Sequence, residues 1–183
     1  MTDSPHIALE RVSFRFADGV PLFEGLSEVF DDRHTGLVGR NGVGKTVLGR
    51  LLAGDLQPSE GRVVRQGRIA YLPQRIVAAA DARVVDLAGC AHWFDAMQRV
   101  MRGQPHEDDI ECLEGRWDLA ERLQAALHEE GLGHLDVQTP AAQLSGGECS
   151  RIALLGALQA DADLLILDEP GNHLDQASRT RLG

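Results

Sequence analysis

Gly39-Arg40-Asn41-Gly42-Val43-Gly44-Lys45-Thr46 is a glycine-rich octapeptide of the form G-x-x-x-x-G-K-[ST]. Its three glycines let the backbone turn tightly and bring successive N–H groups onto a phosphate chain. Side chains at those positions would block that approach. Lys45 supplies a mobile point charge for β and γ phosphates. The Thr46 hydroxyl suits Mg²⁺, which takes oxygen ligands. Downstream, Val47 to Ala53 carries Leu48, Leu51 and Leu52 at helical spacing, with Gly54 as the stop. Upstream, Thr35 to Val38 reads as a short strand. The order strand, loop, helix adds the helix dipole to the anion site.

The chain has 183 residues, enough for one domain with a sizeable core. Apolar residues make up 43% and charged residues 25%, as in an ordinary globular protein. With 18 basic and 28 acidic residues the formal charge is −10. That argues against a generalised basic surface for gripping nucleic acid or acidic lipid, though not against a local basic patch. Cys90, Cys112 and Cys149 are well separated and form no CxxC pair, so neither a zinc site nor a disulfide framework is indicated. Reduced thiols point to the cytoplasm. The N-terminus carries Asp3 and His6 and lacks the apolar run of a signal peptide. The most apolar window, Ile76 to Phe94, is broken by Asp81, Arg83 and Asp86 and is no membrane span.

Taken in order, Ile7 to Phe16 alternates in part and reads as a strand, Asp18-Gly19 as a turn, and Leu22 to Phe30 as a second strand. The two suggest an antiparallel edge before the glycine loop. Phe16 suits either a core position or the face of a nucleobase. Arg62 to Val64 and Arg68 to Leu72 read as short strands, the second running into Pro73-Gln74, where an amide side chain can meet a metal or a water. From about Arg75 to Thr139 the composition turns to Ala, Leu, Glu and Arg, which favours helix. Val84 to Ala91, Trp93 to Met101 and Asp108 to Glu130 have apolar residues at helical intervals. This stretch reads as a helical insert, residues 75–139, within a core made of 1–74 and 140–183. Its histidines, His92, His106, His128 and His134, form no convincing ligand set and read as solvated or packed.

Leu144-Ser145-Gly146-Gly147-Glu148 opens a helical pattern with Ile152, Leu155 and Leu158. Ser145 is placed as an N-cap, and Gly146 and Gly147 leave backbone N–H groups bare, either as an ordinary cap or as a second anion site. Leu164 to Leu167 is an unbroken apolar run suited to a buried parallel strand, and Asp168-Glu169 closes it where ligands gather in open α/β sheets. Adjacent residues of a strand point opposite ways, so one acid can face a metal and the other a water, unless the pair already lies in the turn. Asn172-His173-Leu174-Asp175 follows.

The set resembles the ATP-binding cassette (ABC) ATPases. Gly39 to Thr46 is similar to the Walker A loop, Gln74 to the Q-loop, and Leu144 to Glu148 to the signature LSGGE. Leu164 to Glu169 resembles Walker B with its glutamate, and Asn172 to Asp175 the D-loop. The order and spacing hold over nearly the whole chain. LDEPGNHLD looks like the F subfamily, whose members lack membrane domains, typically carry two cassettes in one polypeptide and commonly act on ribosomes. The resemblance implies an α/β fold: a P-loop NTPase core with a mainly parallel sheet, an antiparallel β edge and an inserted helical signature subdomain.

The resemblance also implies roles. Arg40, Asn41 and Val43 line the loop with Gly39, Gly42, Gly44, Lys45 and Thr46 around ATP. Thr46, Gln74 and Asp168 serve Mg²⁺, and Glu169 polarises the attacking water. Phe16 stacks on adenine. Ser145, Gly146, Gly147 and Glu148 act in trans on a nucleotide held by a second cassette. Gly171 stands where Thr is usual, Cys149 where Gln or Arg is, and Val47 where a second hydroxyl is common. Family members continue to a switch histidine, whereas this sequence stops at Gly183, which suggests a C-terminally truncated cassette that binds ATP better than it turns it over. Two other readings stay open: the ATPase subunit of a membrane transporter, and a nucleotide-binding module without useful turnover.

Overall fold

The computed structural model describes residues 7–31 and 33–170, which fall into two compact units. The first runs up to Gln74 and resumes at Asp161–Pro170. It contains β1 (Ile7–Arg15), β2 (Pro21–Phe30), α1 (Lys45–Ala53), β3 (Glu60–Arg65), β4 (Ile69–Leu72) and β5 (Leu164–Leu167). The Asp18-Gly19 turn closes the first hairpin, with the Gly19 N–H donating to the Phe16 carbonyl at 2.9 Å. β2, β1 and β3 make an antiparallel sheet in that order. Ile7, Leu9 and Val12 of β1 bury their side chains with Leu48, Leu51 and Leu52 of α1. The same cluster takes in Ile69, Leu164 and Ile166, so the apolar stripe of α1 also covers β4 and β5. β4 and β5 pair in parallel, from Ile69 opposite Leu164 to Leu72 opposite Leu167.

The end of α1 is closed twice. Gly54 adopts φ 97° and its N–H donates to Arg50 O at 3.0 Å. The Arg65 guanidinium of β3 donates to the carbonyls of Leu51 and Leu52, the latter at 2.8 Å, which satisfies groups the helix leaves without partners.

Thr35 to Val38 forms no strand, contrary to its sequence pattern. Leu37 and Val38 are 54% and 91% exposed. A strand needs a neighbour to take its N–H and C=O groups. β4 and β5 take each other, and no described strand flanks this segment.

The second unit begins at Arg75 and its described part ends at Ala160. It holds α2 (Val84–Leu87), α3 (Ala91–Met101), α4 (Asp109–Cys112), α5 (Leu119–Glu129) and α6 (Gly146–Gln159). Val84, Val85, Phe94, Leu123, Leu127, Ile152 and Leu155 form its core. The single helix expected over Asp108 to Glu130 is two helices. Gly115, at φ 73°, breaks it, so Leu113 is buried while Trp117 is half exposed. α6 belongs to this unit. A Cβ on Gly156 would lie 2.2 Å from the Ala88 carbonyl oxygen, so only glycine lets α6 lie so close to the end of α2. The compact unit therefore runs about twenty residues past Thr139, where the change of composition had placed the end of the insert. Arg99 of α3 binds the buried Asp109 of α4 with two guanidinium donors, Nε at 2.9 Å.

Candidate nucleotide-binding site

The loop that starts at Gly39 runs into α1 at Lys45 and Thr46, as its sequence predicts, although the strand expected before it is absent. Gly44 is the N-cap of α1 with φ 102°, and a Cβ there would come within 2.9 Å of Leu22 and Phe23. The conformation demands glycine, and a Cβ would also have to push those two side-chain ends aside. No side chain caps this helix start, and its first internal bond is Leu48 N–H to Gly44 O at 2.9 Å. The opening turn therefore offers backbone donors without a side-chain acceptor.

Lys45 folds back over its own loop. Its Nζ donates to the carbonyls of Gly39 (3.0 Å) and Arg40 (3.3 Å) and lies 3.5 Å from Glu169 Oε1. Thr46 follows, exposed, at the second position of α1.

The parallel register brings the remaining polar groups together. Leu72 pairs with Leu167, and Gln74 and Glu169 each lie two residues beyond that pair. Gln74 Nε2 donates to Glu169 Oε2 at 2.8 Å. Glu169 has φ 49°, a left-handed backbone that costs a residue with a Cβ about 1–3 kcal/mol. Asp168 turns the other way. It is only 7% exposed, and the Tyr71 hydroxyl donates to its Oδ2 at 3.4 Å. Burial first, then the Asp168 charge, pushes the Tyr71 phenol up to about 12, so it keeps its proton. The two adjacent acids thus have separate partners, but both lie beyond β5, which ends at Leu167, so the turn and not the alternation of a strand separates them.

Among the described residues no group of three or more His, Cys, Asp or Glu side chains is placed to hold a metal by itself. Mg²⁺ usually takes one or two carboxylates together with waters and substrate phosphates. One buried carboxylate, Asp168, with the Thr46 hydroxyl and the Gln74 amide, fits Mg²⁺ arriving on a triphosphate.

Phe16 stands at the hairpin tip, 45% exposed, its ring edge-on to Phe14 at 5.8 Å between centroids. Phe14 pairs across the sheet with Phe23, and Phe23 is the ring that crowds Gly44. Phe16 is thus a partly exposed aromatic on the sheet that also brings Phe23 to the loop.

In the second unit Ser145 caps α6 and Gly146 and Gly147 are exposed. A Cβ on either glycine would meet no atom within 4 Å, so packing inside this chain does not demand glycine there. Glu148 closes a capping box, taking the Ser145 N–H at 2.8 Å and the Ser145 hydroxyl at 2.7 Å. The Asn172–Asp175 string lies outside the described residues.

The ABC transporter family model matches residues 27–172, which include the glycine loop, Gln74, LSGGE and both acids. The chain belongs to this family of ABC ATPase domains. Tylosin resistance ATP-binding protein TlrC of Streptomyces fradiae is 32% identical over 94% of this chain and 36% of its own length. ABC transporter F family member 3 of Arabidopsis thaliana is 33% identical over 93% and 21%. A probable metal transport system ATP-binding protein of Thermotoga maritima is 31% identical over 94% and 65%. The chain thus spans less than two thirds of these relatives. A solved ATP-binding subunit of an ABC transporter superposes with a TM-score of 0.70 at 21% identity, covering 96% of this chain and 71% of that one, which shows the fold. ABC domains of this family bind ATP and work as dimers or paired cassettes. No helix among the described residues is long and apolar enough to cross a membrane.

Three contacts escaped the sequence reading. Tyr71 on Asp168 follows from the β4–β5 register, and Arg65 on the end of α1 from a fold in which β3 passes that helix end. His134, read as solvated or packed, places Nε2 3.2 Å from Glu148 Oε1. Nothing in its local sequence marks that pairing.

Proposed function

We propose that this chain is the nucleotide-binding cassette of a protein of the ABC-F type. It binds Mg-ATP on the Gly39–Thr46 loop, hydrolyses it when a second cassette covers the nucleotide, and uses the closure to act on the ribosome. The meeting of Lys45, Gln74 and Glu169 at the ends of α1, β4 and β5 carries the ATP part of this reading. Lys45 exchanges its two carbonyl partners for β and γ phosphate oxygens, joined by the loop and α1 N–H groups. Glu169 orients and polarises the attacking water. Gln74 and Thr46 supply oxygens toward the metal, and Asp168 acts through its water shell. Bound Mg²⁺ neutralises charge on the transferring phosphoryl group. Phe16, 45% exposed, stacks on adenine. Ser145, Gly146 and Gly147 meet the phosphate of the other cassette, and the open space beside the two glycines supports an approach from outside.

The ABC-F part rests on LDEPGNHLD and on the likeness to TlrC and F family member 3. A second reading, the ATPase subunit of a membrane transporter, is favoured by similar likeness to the Thermotoga protein and to a zinc import ATP-binding protein of Pseudomonas fluorescens.

Mg-ATP at a hundredfold excess over its Kd is expected to stabilise the chain by about 2.7 kcal/mol, with a matching rise in melting temperature. Lys45→Ala is expected to remove that rise. An unchanged melting curve for the parent chain would overturn the phosphate site. Co-sedimentation of a Glu169→Gln form with ribosomes in ATP supports the ABC-F reading, whereas a co-purifying membrane subunit supports the transporter. Steady-state phosphate release separates both from a module without turnover.

A further inference from the structure

We propose that His134 is a positioning residue for the signature serine, acting through Glu148. This rests on the reading that Ser145 meets a phosphate of a second cassette. Glu148 is the hub. Its Oε2 accepts from the Ser145 N–H (2.8 Å) and the Ser145 hydroxyl (2.7 Å), and its own N–H donates to Ser145 Oγ (3.3 Å). Its Oε1 faces His134 Nε2 at 3.2 Å. The two bonds from Ser145, backbone then side chain, hold the Glu148 carboxyl below its ordinary range, so it is ionised and only accepts. His134 Nε2 is therefore the donor, which fixes the tautomer of the ring.

The ring is exposed but its backbone is not free to wander. His134 lies between the buried Leu132 and Leu135. The Leu135 N–H donates to the Leu132 carbonyl at 2.9 Å, and the Leu135 carbonyl takes the Gln124 amide at 2.8 Å. This turn presents Nε2 to Glu148.

The consequence follows from counting donors on one carboxylate. The Ser145 hydroxyl proton points at Glu148, so to donate to a phosphate it must leave. With His134 in place Glu148 keeps the Ser145 N–H and the imidazole N–H, and the loss of one of three donors is tolerated. His134 also holds Oε1, so the carboxylate cannot turn about its broad terminal torsion and carry Oε2 away from Ser145. Without the ring, releasing the hydroxyl leaves Glu148 with one donor, and the serine stays folded onto its own cap.

The test is ATP-driven association of the chain in a Glu169→Gln background, followed by sedimentation velocity. His134→Ala is expected to weaken association about three- to tenfold while leaving the melting temperature and single-chain ATP affinity unchanged. His134→Gln, which keeps an N–H donor, is expected to restore it. In a Ser145→Ala background His134→Ala should have no further effect. An unchanged association constant, or an effect that persists undiminished without the serine hydroxyl, overturns the proposal. If the parent does not associate in ATP, the pairing reading fails instead. The local role is then decided by Ser145 amide exchange: faster exchange in His134→Ala than in the parent upholds it, and equal exchange overturns it.

Discussion

Lys45 is engaged before any phosphate arrives. Two loop carbonyls and Glu169 hold it, and ATP must displace all three. The carbonyl bonds are replaced in kind by phosphate oxygens. The ion pair is different, because in the proposed function its Glu169 partner stays behind to serve a water. At 3.5 Å, with the two side chains 17% and 32% exposed, that pair is worth at most about 1 kcal/mol after solvent screening. Glu169→Gln is therefore expected to leave ATP affinity unchanged or tighten it by up to about fivefold in a calorimetric titration. In paired cassettes the same change should lower phosphate release at least ~10²-fold, as for loss of one transition-state group. Undiminished release would strip Glu169 of its role. Tyr71 offers a finer test. Its hydroxyl touches Asp168 loosely, at 3.4 Å, from a ring packed over Gly49 of α1. Tyr71→Phe is expected to raise the Mg²⁺ concentration needed for the ATP-induced melting shift by up to about tenfold. Metal-free nucleotide binding should stay as it was, and an identical Mg²⁺ titration would show that Asp168 is held by other means.

At the scale of elements, glycine at two close approaches fixes where α1 and α6 can lie. Gly44 admits Leu22 and Phe23 beside the loop, and Gly156 admits the Ala88 backbone beside α6. A flexible side chain can yield, but a carbonyl at 2.2 Å cannot. Gly156→Ala must push α6 from α2 and is expected to cost about 1–3 kcal/mol in urea unfolding, despite the better helix propensity of alanine. A neutral result would mean that α6 has room to slide. Elements with a local signature were legible in the sequence. The Gly54 stop and the Ser145 cap stand where their residues predict, and the LLIL run forms the parallel strand β5, though half-buried along its length rather than fully buried. Features set by distant partners were not. Thr35 to Val38 has strand-like residues and lacks a described neighbour to pair with. Asp108 to Glu130 has a helical period that Gly115 interrupts, a break the period alone does not show. The candidate site follows the same division. Motif spacing marked Lys45, Gln74, Asp168 and Glu169 as candidates, while the Tyr71 and His134 contacts needed the register of β4 with β5 and the turn that follows α5.

Across the whole molecule, acid should act through a few carboxylates of the second unit rather than through the net charge. The sequence pI is about 5.1, so falling from neutrality to that point mainly relieves repulsion among exposed acids, a weak and salt-screened effect. The specific groups titrate lower. The hydrogen bonds from Arg99 hold Asp109 well below the usual carboxylate range, and those from Arg83 lower Asp86. Glu148 is lowered by Ser145. A group depressed in the folded state contributes stability above its unfolded value, near 4, and loses it as pH falls through the folded value. Stability is therefore expected to be flat or slightly rising from pH 7 to about 5 and to fall steeply below about 4. Urea midpoints at a series of pH values would trace that limb. Asp109→Asn keeps the shape of the buried side chain and removes its titration. It is expected to lower stability near neutrality, because Arg99 loses its charged partner, and to flatten the acid limb. An acid limb as steep in Asp109→Asn as in the parent would place the acid sensitivity in groups other than the α3–α4 pair.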